Sequence, residues 1–475
     1  MRILAISTYD LGTQPLILAR IKSELRDPLY EVRTIDLSLS ELTNDDISWP
    51  EVVIFSIPMH TAMALTKELV TKIRSLRDDI KLCFFGLYAP AALSANLLST
   101  NDIAIAGTGF DTLISWLKTL TANSNKQYEH GKVYVDIGTV QPKNHLLPDR
   151  SSLPSLESYV HYLADGVTKT VATLEVVSGC SHHCRHCPVP VIYKGKTRKA
   201  PEEEILADAR QQIENGASHI HFSDPDFFNR PQYGMSIMSR LKSDFPHLSF
   251  DATIKISHIL KYRHLLKDLS EKDCNLLIAA LEQVNNDTLK ILDKGHTKEE
   301  AELAFRLLRE LGIEPRPSLL PFTPWTTPYD IVELLDFIYE NDLVWNVDPV
   351  QWSIRLLLPP GSLLLDSTER TLLSSLGELS EDGLSYEWKS PEPVLDELAR
   401  EIGVLAEDAV DDSPQDAYFR IRKLVFDTLK ITYYEPKIKE SSMSKIPGNL
   451  RPKLSENWFC CAMPTNNQKS RMLCH

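Results

Sequence analysis

Val176-Val177-Ser178-Gly179-Cys180-Ser181-His182-His183-Cys184-Arg185-His186-Cys187-Pro188 is the stretch that decides how this 475-residue chain is read. A strand-like apolar run ends at a glycine, and three cysteines follow within eight residues at spacing C-x3-C-x2-C. Three thiolates so spaced can converge on one iron–sulfur cubane. They ligate three of its four irons and leave the fourth open to a substrate or cofactor, as a catalytic zinc keeps one position open. A cluster that only carries electrons normally has four cysteine ligands, so the missing fourth is informative. The same residues also leave open a structural zinc site, with His182, His183 or His186 as fourth ligand.

Working outward, strand candidates at 171–177, 219–222, 249–254, 275–280, 314–320 and 350–357 alternate with helical stretches. Six such βα repeats predict a partial (β/α)6 barrel over 166–365, with the cysteine loop just after its first strand, on the face where barrel active sites lie. Upstream, apolar strands at 3–8, 32–36, 52–57, 81–85 and 103–106 alternate with amphipathic helices. They predict a doubly wound, flavodoxin-like domain over 1–125, with ligand positions at the carboxyl ends of its strands. Residues 126–165 are polar, contain Pro142, Pro148 and Pro154, and read as a linker. Beyond 365 the pattern becomes helical and polar near 364–376, 391–410 and 412–431, and 366–475 ends in a cysteine-rich tail. The fold class is α/β.

A hydrophobic content of 43% is that of an ordinary globular chain, and a net charge of −14 argues against nucleic acid or an anionic membrane as main partner. No apolar run reaches the roughly 18 residues of a membrane helix, and the first ten residues read as a strand, so a cytoplasmic location is expected. Of eight cysteines, three fall in the 180–187 loop and three in the last sixteen residues. In a chain this long such clusters bind metal or do redox chemistry rather than form a disulfide framework. Cys83 and Cys274 sit singly in apolar runs and read as buried.

The cysteine loop after a barrel strand resembles the radical S-adenosylmethionine (radical SAM) superfamily. The resemblance implies a [4Fe-4S] cluster on Cys180, Cys184 and Cys187, SAM bound at the open iron, and an electron donor of flavodoxin or ferredoxin type. His221-Phe222-Ser223-Asp224-Pro225-Asp226-Phe227-Phe228 is similar to the F-x-D-x-x-F segment of the subgroup with a cobalamin-binding-type first domain, so Phe222 and Asp224 are implied cofactor contacts. Leu281-Glu282-Gln283, Asn286-Asp287 and Lys294-Gly295-His296-Thr297 resemble a further family stretch, which puts Glu282 toward the SAM ribose or the substrate. Lys255 would meet the SAM carboxylate, and Arg355 in the sixth strand reads as a bidentate carboxylate partner. Whether cobalamin binds is left open. The loop Asp10-Leu11-Gly12-Thr13-Gln14 has no histidine for cobalt, and a degenerate domain that shields the barrel is expected.

The tail, Trp458-Phe459-Cys460-Cys461-Ala462-Met463-Pro464 with Cys474-His475, can present three thiolates to a soft ion or metalloid. It resembles radical SAM proteins ending in Cys-Cys-Ala-Glu-Pro and those of arsinothricin biosynthesis. That resemblance implies that Cys460, Cys461 and Cys474 hold As(III) as acceptor of the SAM 3-amino-3-carboxypropyl group. The alternatives are a cobalamin-dependent radical SAM methyltransferase or rearrangement enzyme on a small molecule, and a non-catalytic zinc or iron–sulfur scaffold.

Overall fold

The computed structural model describes residues 1–121, 128–138, 146–366, 368–409, 412–457, 461–465 and 468–469. Strands β1 (Arg2–Ser7), β2 (Glu31–Asp36), β3 (Val52–Ser56), β4 (Lys81–Phe85) and β5 (Ile103–Ala106) form a parallel sheet in the order β2-β1-β3-β4-β5, the doubly wound flavodoxin-like order. Strand β3, Val-Val-Ile-Phe-Ser, is buried along its whole length because helices cover both faces, which is why it reads as an unbroken apolar run. A sixth parallel strand, β6 (Val133–Val135), adds to β5. It lies in the stretch expected as a linker, where three residues are too few to show a period.

The second sheet has the order β14-β13-β12-β11-β8-β7-β17. Its parallel part runs from β8 (Val167–Leu174) through β11 (His219–Phe222), β12 (Ser249–Ile254) and β13 (Cys274–Glu282) to β14 (Glu314–Leu319). Between β8 and β11 the chain forms a small antiparallel pair, β9 (Val177–Gly179) and β10 (Thr197–Lys199), which brackets the cysteine loop. On the other edge β7 (His161–Ala164) pairs antiparallel with β8, and β17 (Lys453–Leu454) from the tail pairs with β7. The result is a nearly closed, barrel-like sheet.

The sixth barrel strand expected at 350–357 is reduced to a single bridge between Phe322 and Arg355, preceded by the 3-10 turn Pro349–Ser353. Proline at the start of this segment favours the turn. The Gln351 side chain accepts from Leu319 N at 2.9 Å, replacing a ladder bond that a sixth strand would have supplied to β14. The C-terminal region has the helices Arg370–Ser375, Pro393–Asp408 and Pro414–Leu429, and a hairpin of β15 (Leu376–Leu379) and β16 (Tyr386–Trp388) that the sequence did not suggest.

The two sheets are tied together beside the cysteine loop. Arg20 pairs with Glu175 at 2.6 Å, and buried Arg150 donates to both oxygens of Asp208 and to Gln14. Thr108 Oγ1 and Tyr193 OH are 3.0 Å apart. Leu87, Tyr88 and Pro90, just after β4, face His186, Cys187, Pro188 and Ile192 across a small apolar pocket of about 40 Å3. The first domain therefore covers the cysteine loop.

Candidate active site

The cysteine loop is held by the loop that follows β11. Asp224 is buried, and its two carboxylate oxygens accept from Val176 N at 2.7 Å and Val177 N at 2.8 Å. Burial pushes the Asp224 carboxyl well above the usual range, against these two bonds. Asn229 accepts from Ser181 N and donates to Gly179 O, while Arg185 N donates to Leu292 O. Gly179 turns the chain at φ +78°, and a Cβ there would lie 2.4 Å from Lys196 O, so the turn into Cys180 requires glycine. Phe222, whose segment is expected to meet SAM through its backbone, anchors its side chain in the core. Its ring is fully buried and packs on Phe227 and Phe250, so it supports the loop from the core.

Cys180 and Cys184 are buried and Cys187 partly so, none of them in a disulfide. Burial pushes the Cys180 thiol up and the Cys187 thiol up to about 12, so stable thiolates here need a bound cation. A tetrahedral zinc on the three cysteines would need one of the neighbouring histidines as its fourth ligand. Of the three histidines, His182 turns to Asp226 and His186 Nε2 faces Glu282, while the His183 ring lies against Gly195. The residues fit a cubane.

Around the sulfurs is a buried polar group. Lys255 donates to Cys184 Sγ at 3.2 Å. Glu282 accepts from Lys294 Nζ at 3.1 Å and from Ser318 Oγ at 3.2 Å, with His186 Nε2 3.8 Å away. Burial opposes the Glu282 charge, yet Lys294 and His186 outweigh it and hold the carboxyl well below its usual range. Lys294 is raised in turn, since the attraction of Glu282 exceeds the cost of its burial. Glu282 has φ +68°, a left-handed conformation at the irregularity where β13 loses register with β14. That conformation costs a non-glycine residue of order 1–3 kcal/mol and is characteristic of functional positions. His296 is buried with neither ring nitrogen bonded, and burial takes its pKa down to about 3. Lys294 and His296 join the site without having stood out in the sequence as site residues. The signal that could have found them was a lysine twelve residues beyond a strand-end glutamate.

Arg355 is a correction. Its guanidinium donates to Asp396 Oδ1 at 2.7 Å and to Trp388 O at 3.2 Å, and it lies over the Trp388 ring at 4.1 Å. These partners occupy it as a clamp on the C-terminal region, so it is not free to take a carboxylate. In the tail, Ala462 O accepts from Thr61 Oγ1 at 2.8 Å, and Cys461 packs against the barrel core. The tail therefore passes between the two domains. Cys460 and Cys474 lie outside the described residues.

At the carboxyl ends of the first domain's strands, Thr8, Tyr9, Gly12, Leu37 and Leu39 line a cleft with Tyr159 and Glu456. A Cβ at Gly86 would meet Ile57 O at 2.6 Å, and one at Gly107 would meet Asp136 O at 2.4 Å. These two glycines are required by close packing within the chain. His60 is buried, and burial holds its pKa at about 4.

Residues 174–338 match the model of the Radical SAM superfamily, so this part of the chain is a radical SAM domain. Such a domain implies a [4Fe-4S] cluster and SAM. Among curated proteins, the ribosomal protein uS12 methylthiotransferase RimO of Clostridium perfringens is 31% identical over 185 residues, 36% of this chain and 40% of that protein. RimO of Clostridium botulinum is 23% identical over 256 residues, 52% of this chain and 53% of that one. The chain thus spans about half or less of the curated relatives it matches.

Two solved structures share the fold. The cobalamin-dependent SAM radical enzyme OxsB, solved with aqua-cobalamin, superposes with a TM-score of 0.68 at 15% identity, over 90% of this chain and 73% of that one. The radical SAM methyltransferase TsrM of Kitasatospora setae, solved with cobalamin and a [4Fe-4S] cluster, gives 0.56 at 15% identity, over 90% and 88%. Among the described residues no helix is long and apolar enough to cross a membrane.

Proposed function

We propose that this chain is a radical SAM transferase that cleaves SAM reductively and delivers a fragment of it to an acceptor held between its two domains. The observation that carries this reading is the three-thiol loop, pinned by Asp224 and Asn229, beside a buried lysine and a strained, partly buried glutamate. When bound, a [4Fe-4S] cluster supplies one electron to the sulfonium of SAM. Cys180, Cys184 and Cys187 would hold it. Lys255 sets a positive charge beside Cys184 Sγ, and the Glu282–Lys294 pair offers a fixed acceptor and donor to the nucleotide. The first domain acts as a lid over the cysteine loop. Together with the tail it keeps water from the site, which strengthens these interactions and protects reactive species.

The acceptor is a small molecule or a metalloid. Transfer of the aminocarboxypropyl group to thiolate-bound As(III) is the finer form of the reading, and it draws on the position of Cys461 between the domains. Anaerobic incubation with SAM and dithionite, with and without arsenite, tests both levels. Any reductive SAM cleavage lost in Cys184→Ala supports the radical SAM reading, and its absence in the reconstituted wild type opposes it. Methylthioadenosine formed only with arsenite, and lost in Cys461→Ser, supports the arsenic form, whereas 5′-deoxyadenosine or arsenite-independent product removes it.

A further inference from the structure

Beside the cysteine loop lies a second group of donors that the cluster does not use. His182 comes from the cysteine loop, Asp226 from the loop after β11, and His258 from the helix Ile256–Lys261 after β12. Three successive strand ends thus deliver one side chain each to a single point. His258 Nδ1 lies 2.8 Å from Asp226 Oδ2, His182 Nε2 lies 3.2 Å from the same oxygen, and the two ring nitrogens are 3.4 Å apart.

These edges are the size that one ion imposes. Ligand atoms bonded at about 2.0–2.1 Å are roughly 2.9 Å apart at a right angle and roughly 3.4 Å apart at the tetrahedral angle. A second observation points the same way. Asp226 is fully buried, and its Oδ2 accepts no hydrogen bond although both ring nitrogens are within contact distance. The other oxygen is occupied, accepting from Phe228 N at 3.0 Å. The two imidazoles that face this oxygen make no well-formed hydrogen bond to it, and a cation at the focus of the three atoms would satisfy all three at once.

We infer that His182, Asp226 and His258 form a mononuclear metal site, distinct from the three cysteines, for a borderline divalent transition cation such as Zn2+ or Fe2+. Two imidazoles and one carboxylate suit such ions, while Mg2+ and Ca2+ favour all-oxygen shells. The His182 side chain is about a fifth exposed, which leaves room for water to complete the shell. The ion clamps the cysteine loop to the two loops that follow it, and so fixes Cys180 and Cys184. A redox-inert zinc there takes no electron from the neighbouring cluster.

The full chain, expressed with zinc, purified anaerobically and dialysed, should contain one zinc per chain in addition to cluster iron. His258→Gln and His182→Gln should lose the zinc. A variant with Cys180, Cys184 and Cys187 all replaced by Ala should lose the iron and keep the zinc. That cysteine-free site, loaded with Co2+, should show the visible bands of a nitrogen–oxygen site and no thiolate charge-transfer band. Zinc retained in both histidine variants, zinc lost with the cysteines, or no cobalt bands in a variant whose circular dichroism is native would overturn the inference. A fifth iron in place of zinc, lost with the histidines, supports the iron form of the same site. The iron of the cysteine loop is counted separately, so failure here and failure of the radical SAM reading are distinguishable.

Discussion

Lys255 Nζ lies 3.2 Å from Cys184 Sγ, both of them buried, although 71 residues separate them in the chain. A buried ammonium against a ligand sulfur stabilises added negative charge on whatever that sulfur binds, and hydrogen bonds to cluster sulfurs are among the levers that set reduction potential. Lys255→Met should retain its iron but shift the cluster potential downward, on the order of tens of millivolts, and slow SAM cleavage about 10- to 100-fold, the usual cost of losing such a partner. A potential unchanged in redox titration would separate Lys255 from the cluster.

Glu282 and Lys294 are a buried pair, with side chains 13% and 3% exposed. Glu282→Gln leaves the lysine uncompensated and should cost about 3–5 kcal/mol in denaturant unfolding. Adding Lys294→Met should recover most of that stability without recovering SAM affinity. Recovery of both would make the pair purely structural, and recovery of neither would show that the loss came from elsewhere in the barrel.

Asp10, at the carboxyl end of β1, has its carboxyl raised to about 7, by burial first and by Asp36 next, with His221 opposing. In the unfolded chain an aspartate titrates near 3.9. The folded state therefore holds the proton more tightly. Its stabilising contribution is complete below about pH 4 and is lost as pH rises toward 7. Asp10→Asn should gain melting temperature over the wild type progressively from pH 4 to pH 7, with the difference level above that. A difference constant from pH 4 to 8 would contradict the assignment.

Arg355 joins the barrel to the C-terminal region through Asp396 and Trp388. Arg355→Met should lower stability by about 1 kcal/mol, the worth of a part-exposed ion pair, while iron content and SAM affinity remain those of the wild type. Weakened SAM binding, measured by equilibrium dialysis, would return Arg355 to the site.

The parts of this site that the sequence made legible are those whose chemistry is local. Cys180, Cys184 and Cys187 sit on one short loop, and their spacing is itself the chemical requirement. The central parallel strands were equally plain, because burial on both faces makes β3 a continuous apolar run. What was missed depends on distant pairing. Arg355 looked available until Asp396, 41 residues later, was folded against it. The segment 350–357 has a strand's composition, but Gln351 caps β14 from a 3-10 turn and leaves only the Arg355 bridge. His182, Asp226 and His258 come from three separate loops, and no periodicity links them. Strands β6 and β17, of three and two residues, are too short to announce themselves.

The most direct test is electron paramagnetic resonance of the anaerobically reconstituted, dithionite-reduced protein before and after SAM is added, alongside iron and sulfide analysis. About four irons and four sulfides per chain are expected, with a reduced-cluster signal whose g values move on adding SAM and which is absent from each of the three single cysteine variants. A colourless protein with zinc on the cysteines, or a cluster signal indifferent to SAM, would contradict the account.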